Sequence, residues 1–292
     1  MAKAGESIGL VLKALSKKTK IVVMLAPSFV AEFNYPNIIS HLKQAGFDKV
    51  VELTFGAKLV NKEYHQLLES CNTKKDYFWI SSVCPGMVEL IKNKYPKLRK
   101  NLIPIVSPMI ATARLCKKIY PQHKILFISP CNMKKIEAKN NSKDVDYVLD
   151  YQELREIFKK LNINPDKKIK LKRPVHFDKF YNDYTKIYPL AGGLSKTAHL
   201  RGIVGANDTE IIDGICQVEA FLKNPDNSIK FLDANFCIGG CIGGPCLSKT
   251  ISLDEKKKRV LKYVRKAMHE IIPKADMGVL EHAKNLDLRA KY

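Results

Sequence analysis

Hydrophobic and polar positions along the chain follow two alternating periods. Short apolar runs stand at KIVVMLAP (Lys20–Pro27), KVVELTF (Lys49–Phe55), YFWISSVC (Tyr77–Cys84) and HKILFISPC (His123–Cys131). Continuous apolar runs of this length suit strands buried on both faces of a parallel sheet. Between them the spacing becomes helical. Tyr35–Phe47 ends on a glycine stop at Gly46, and Val60–Cys71 and Met109–Pro121 also read as helices. Pro85 suits the first turn of the helix GMVELIKNKYP, where a missing N–H costs nothing.

The second half continues the alternation. Asp144–Leu161 predicts a strand joined to a helix, and Asn162 to about Tyr188 is irregular and lysine-rich. GGLSKTAHL opens a helix, IIDGICQVEAFLKN (Ile211–Asn224) reads as another, and Ile229–Cys237 as a strand. Leu253–Ile272 predicts a long amphipathic helix. Strands alternating with helices predict an α/β fold with parallel sheets. The pattern divides the single domain 1–292 into two lobes, 18–122 and 123–248, each a mainly parallel sheet flanked by helices. A helical segment, 249–292, follows. No repeat and no low-complexity linker interrupts the chain.

Composition narrows the class. With 292 residues, 46% hydrophobic, the chain has ample core for two lobes. The N-terminus is basic and amphipathic without a signal-like apolar run, and no stretch is long enough to span a bilayer. A cytoplasmic protein is expected, with no membrane partner. In that compartment eight cysteines are thiols or metal ligands rather than disulfides. The formal net charge of +21 attracts nucleic acid, anionic membrane or acidic proteins. Yet the lysines are dispersed among acids and form no stripe with aromatics, so nucleic acid is not an expected partner.

The cysteines carry the chemistry. Cys84, Cys131 and Cys237 each follow a strand, and Cys241 lies four residues beyond Cys237. Strand carboxyl ends form the ligand crevice of parallel α/β sheets. Four thiols arriving there suit an iron–sulfur cluster or a closed zinc site, although no CxxC pair of the zinc-finger kind is present. The expected place for the metal is the cleft between the lobes. Cys71, Cys116 and Cys216 read as core-packing residues. Cys246, five residues after Cys241, reads as a thiol near the site that is not a ligand.

Three segments occur in order: SSVCPG (Ser81–Gly86), SPCNMKKIEA (Ser129–Ala138) and DANFCIGGCIGG (Asp233–Gly244). Together they resemble the signature segments of the [FeFe]-hydrogenase catalytic domain. LAPSFVAEF (Leu25–Phe33), AGFDKVVELTFGA (Ala45–Ala57), SPMIATARLCK (Ser107–Lys117) and AGGLSKTA (Ala191–Ala198) fit the same template, so the resemblance spans roughly residues 20–260. It implies a [4Fe–4S] cluster joined to a diiron subcluster with CO, cyanide and a bridging dithiolate, together the H-cluster. By motif position Cys84, Cys131, Cys237 and Cys241 are its ligands, and Cys241 is the thiolate shared by the two units. Lys134 is implied to hydrogen-bond a cyanide, with Glu137 orienting it. Ala26, Pro27 and Ser28 are implied to wall the diiron site, and Gly192 and Gly193 to lie near it. Gly239 and Gly240 let the backbone approach the metal.

The sequence also departs from that family. A proton-relay cysteine is replaced by Val83, which has no proton to transfer. Tyr64 and Leu67 stand at carboxylate positions of the proton path, with Glu63 and His65 nearby. Ser129 and Asn235 replace methionines, adding polar groups to a site that is otherwise apolar. No cysteine precedes Cys71, so no accessory cluster is encoded before it. The expected function is slow or sensory interconversion of H2 with protons and electrons. Expected partners are an acidic ferredoxin-like carrier and hydrogenase maturation enzymes. The alternative is a non-catalytic, cubane-only redox or cluster-assembly protein.

Overall fold

The computed structural model describes residues 6–71, 77–169 and 175–292. Parts of two segments read from the sequence, the basic N-terminus (1–5) and the irregular lysine-rich stretch (170–174), lie outside the described residues.

Helix α1 (Glu6–Ser16) leads into β1 (Ile21–Leu25), whose five residues are wholly buried. Then come α2 (Asn37–Gln44), β2 (Lys49–Glu52), α3 (Thr54–Cys71), β3 (Trp79–Ile80), α4 (Pro85–Lys94) and α5 (Pro108–Ile119). After β4 (Lys124–Ser129) follow α6 (Met133–Asn140), β5 (Tyr147–Asp150) and α7 (Tyr151–Lys160). The chain continues through α8 (Gly193–Thr197), β6 (Thr209–Asp213), α9 (Ile215–Lys223), β7 (Phe231–Asn235) and α10 (Leu253–Ala267).

Among the described residues the strands form two sheets, in orders β2-β1-β4-β5 and β3-β7-β6, and every ladder between these strands is parallel. Helices flank both sheets, as the α/β pattern requires. The division at residues 122 and 123 does not describe these sheets. The first sheet joins β1 and β2 to β4 and β5, and the second joins β3 to β6 and β7. Sheet membership follows pairing of buried runs, such as Met24 opposite Phe127 and Trp79 opposite Phe231, rather than position along the chain. Helical crossovers are long enough to carry the chain from one sheet to the other.

Several element boundaries also differ. Ile211–Asn224 is not one helix: Thr209–Asp213 is β6, and α9 begins only after Gly214, whose φ of +91° breaks the run. β-Branched Thr209, Ile211 and Ile212 fit a pleated edge strand better than a helix. Helix α3 starts at Thr54, six residues before the expected Val60, and the Lys49–Phe55 strand ends at Glu52. Thr54 through Ala57 are buried on every side, so they show no amphipathic period. At the other end of the chain α10 stops at Ala267, leaving Met268 and Ile271 exposed. Its start is capped by Ser252, whose hydroxyl accepts the Glu255 N–H.

Candidate metal centre

Both sheets point their carboxyl ends at one cavity of about 710 Å³ with mostly apolar walls. The first sheet supplies Ala26, Pro27 and Ser28 after β1 and Cys131 after β4. The second supplies Val83 and Cys84 after β3, and Asn235, Cys237, Gly240 and Cys241 from β7 onward. Strand ends thus deliver all four predicted ligand thiols to the same walls, the crevice position expected of parallel sheets.

Each thiol is positioned by local backbone chemistry. Cys84 is the N-cap of α4, and Pro85 fills its first position. Cys131 is braced by Ser129, whose buried hydroxyl accepts the Cys131 N–H at 3.0 Å and lies 3.0 Å from its carbonyl. The Cys237–Cys241 loop is the tightest. Gly239 and Gly240 both take left-handed conformations, and a Cβ on Gly240 would sit 2.7 Å from the Pro189 carbonyl oxygen. That approach lets the Cys241 N–H donate to Pro189 O at 2.8 Å. The Gly239 N–H donates to the Asp213 carboxylate on β6.

Burial pushes the thiols of Cys237 and Cys241 up to about 12, and the neighbouring cysteines add to the rise. Cys131 is raised by burial and then by Cys84. These mutual effects place the four sulfurs in one electrostatic neighbourhood, where a bound cation would reverse the shifts. Cys241 is deep in the protein yet carries open surface, because that surface is cavity wall.

Lys134 projects into the same cavity from the first turn of α6. Its Nζ lies 2.7 Å from Glu137 Oε2, 3.2 Å from Ser107 Oγ and 3.5 Å from the Val83 carbonyl oxygen. Glu137 itself stands behind Lys134 and does not line the cavity. Ser28 meets the Tyr151 hydroxyl at 2.6 Å, and that hydroxyl also donates to the Ala26 carbonyl at 3.4 Å. The Ala26–Ser28 wall is thereby fixed to α7. Gly192 and Gly193 stand one layer back, behind the lining residues Leu190 and Leu194, and Gly239 likewise turns the loop without lining the cavity.

Several expectations are refined. Asn235 does bring a polar group to the wall, but Ser129 turns its hydroxyl into its own loop. Cys71 and Cys116 are buried, as core residues should be. Cys216 is not a core residue: it is exposed at the cavity rim, because α9 buries its Val218–Leu222 face. Cys246 is buried but does not line the cavity. Tyr64 is wholly buried, and its hydroxyl is 2.8 Å from both Ser82 Oγ and the Ser82 N–H nitrogen. It braces the loop ending in Cys84. His65 Nδ1 instead meets the Ala198 carbonyl.

Ser82 and Ser107 fall inside the segments SSVCPG and SPMIATARLCK, but the sequence assigns neither of them a role, and nothing in one dimension pairs Ser107 with Lys134 or Ser82 with Tyr64.

The residues fit an iron–sulfur cluster by donor set: four cysteines, a lining carboxylate, Asp233, that is already engaged by the Ser195 N–H and hydroxyl, and a glycine cradle that a Cβ would fill. A zinc ion would need a tighter grouping. Among the described residues no group of three or more His, Cys, Asp or Glu side chains could hold a single metal ion.

Comparison with known proteins agrees with this donor set. A family model described as the iron only hydrogenase large subunit, C-terminal domain, matches residues 19–245. Iron hydrogenase 1 of Clostridium pasteurianum is 26% identical over 283 residues, which cover 77% of this chain and 49% of that protein. The cytosolic Fe-S cluster assembly factor NAR1 of Scheffersomyces stipitis is 30% identical over 131 residues, 39% of this chain and 24% of that one. The chain spans about half the length of the hydrogenase relatives it matches, 49% and 55% of them. The solved structure of HydA(deltaEFG), described as revealing stepwise [FeFe]-hydrogenase H-cluster assembly, superposes with a TM-score of 0.66. That match covers 96% of this chain and 94% of the other at 16% identity, a likeness of fold.

Proposed function

We propose that this chain, which belongs to the family formed by the C-terminal domains of iron-only hydrogenase large subunits, interconverts H2 with protons and electrons. In this reading Cys84, Cys131, Cys237 and Cys241 hold a [4Fe–4S] cluster, and Cys241 is shared with a diiron subcluster carrying CO, cyanide and a bridging dithiolate. The observation that carries it is the convergence of four thiols and the Lys134 ammonium on one apolar cavity. When bound, the diiron unit supplies the H2-splitting chemistry and the cubane stores the electrons.

The chain's own residues do the rest. Four thiolates fix the cluster from two sheets. Lys134, clamped by Glu137 and Ser107, offers a compact cation to an anionic group in the cavity. Glu137 is a positioning residue, since it acts through Lys134. Ala26, Pro27 and Ser28 form an apolar wall that excludes water. Val83 lines the cavity where proton transfer is needed and has no titratable group. Turnover is therefore slow, which suits sensing as well as catalysis. Gas-uptake assays on protein matured with hydrogenase maturation enzymes test this reading. Turnover as fast as that of relatives with an acidic thiol at this position would sink the proton-transfer argument.

The setting proposed is cytoplasmic, with an acidic ferredoxin-like carrier as electron partner. No described helix is long and apolar enough to cross a membrane.

A second reading, a cubane-only protein without H2 chemistry, is favoured by Val83 and by the similarity to NAR1. Infrared spectra separate the two. CO and cyanide bands after maturation support the hydrogenase reading, and a matured sample without them supports the other.

A further inference from the structure

The amino end of the second sheet carries a second cavity, of about 790 Å³, that the proposed chemistry leaves unused. The thiols stand at the other end of the same strands, β3 and β7. Tyr77 and Phe78, just before β3, form one wall. Tyr95 and Lys97, just after α4, form another, and the approach to β7 supplies Ile229 and Lys230. Backbone hydrogen bonds hold these walls in place. The Trp79 N–H donates to the Lys230 carbonyl at 2.8 Å, and the Lys230 N–H donates to the Asp208 carbonyl at 2.8 Å. Asn101 Nδ2 donates to the Phe78 carbonyl at 2.8 Å. The volume lies within the range of small-molecule sites, about 300–1,000 Å³.

Two chemistries meet in this cavity. Tyr77, Phe78 and Tyr95 offer flat aromatic surface. The hydroxyls of Tyr77 and Tyr95 are buried and have no hydrogen-bond partner among the described residues. Buried hydroxyls are ordinarily paired, so both are donors in want of an acceptor. Lys94, Lys97 and Lys230 bring three cations to the walls against one acid, Asp226. That carboxylate is used within its own turn, where it accepts the Ser228 N–H at 2.8 Å and the Ser228 hydroxyl at 2.7 Å. Lys94 is held by Glu219 at 2.5 Å and Lys230 by Asp208 at 3.4 Å, acids that lie outside the walls. Lys97 is exposed and makes no ion pair among the described residues.

From these aromatic walls and their excess of lysine we propose that the cavity binds a nucleoside phosphate. The base stacks on the aromatic rings, a contact that any base can make. The phosphates take the lysines, whose ammonium groups act as point charges toward phosphate. Neither half of such a ligand fills the site: a bare polyphosphate leaves the rings uncovered, and a bare nucleoside leaves the lysines without an anion. The site stands apart from the four thiols and does not depend on the cluster assignment.

Equilibrium dialysis of the full-length protein against labelled ATP tests the site. Binding should saturate with a Kd below about 1 mM. Tripolyphosphate and adenosine should each bind about tenfold more weakly than ATP. K97E, at an exposed position, should weaken ATP binding about tenfold. Y95A should weaken it about tenfold through lost stacking, and K97E decides alone where Y95A fails to fold. K257E makes the same charge change at an exposed position on α10 and should bind ATP as the parent does. ATP should also slow hydrogen exchange at 77–80 and 229–232. No saturation overturns the proposal. An equal loss in K257E and K97E overturns it too, because it would mean diffuse attraction to a chain of formal charge +21. Tripolyphosphate or adenosine binding as tightly as ATP overturns it as well, as does ATP protection confined to Ser129–Lys134 at the thiol cavity.

Discussion

Lys134 shows how much one side chain depends on its surroundings. Its head group has two side-chain partners, Glu137 at 2.7 Å and Ser107 at 3.2 Å, and stands 3.5 Å from the Val83 carbonyl. Replacing Glu137 by Gln keeps the shape and removes the charge that holds the ammonium in place. The cubane should still form in E137Q, while the matured variant should show weaker or shifted infrared bands. Tyr64 is a different case. Its hydroxyl is tied to Ser82 through both a side-chain and a backbone contact, so Tyr64→Phe leaves buried polar atoms short of a partner. The expected loss is about 1–3 kcal/mol, read as a lower denaturant midpoint. Cys246 offers a control: C246S should keep the iron content of the parent, whereas serine at Cys84, Cys131, Cys237 or Cys241 should lower it. The four proposed ligands are legible in the sequence because Cys84, Cys131 and Cys237 each follow an apolar run, Cys241 lies four residues beyond the last of them, and all four fall in the three signature-like segments. The partners of Lys134 and Tyr64 are not, because Ser107 and Ser82 are brought to them only by tertiary packing.

At the scale of elements, the strand ends do the positioning. Buried β1 and β4 are plain in the sequence because nothing polar interrupts them. Strand β6 is hidden there because it lies at a sheet edge, has mixed burial, and runs into a helix through a single glycine. The turn after β7 is where geometry is least forgiving. Alanine at Gly240 would have to keep a φ of +73° and would press its Cβ against the Pro189 carbonyl. G240A should cost about 1–3 kcal/mol in backbone strain alone and reduce cluster occupancy, measured by visible absorbance per chain.

The whole molecule is held by more than its two sheets. Lys186, fully buried, meets Glu52 at the end of β2 and Tyr263 on α10 at 2.6 and 2.7 Å, and Tyr263 closes the triangle by donating to Glu52 at 2.8 Å. Removing the lysine strands a buried carboxylate. K186A should destabilise the fold by about 3–5 kcal/mol, seen in thermal or denaturant melts. Nothing in the one-dimensional pattern singles out this lysine among the many that lie on the surface.

The interleaving of the sheets has its own consequence. Cys131 belongs to the first sheet, and Cys84, Cys237 and Cys241 to the second. A cluster bound to all four is a rivet through the seam between the sheets. Iron loading should raise the melting temperature by mass action. Chelation should speed hydrogen exchange at Ser81–Cys84 and Ser129–Lys134 and leave the interior of β1 protected. Iron status then becomes a mechanical property of the molecule, readable by a protease or a chaperone that never enters the cavity.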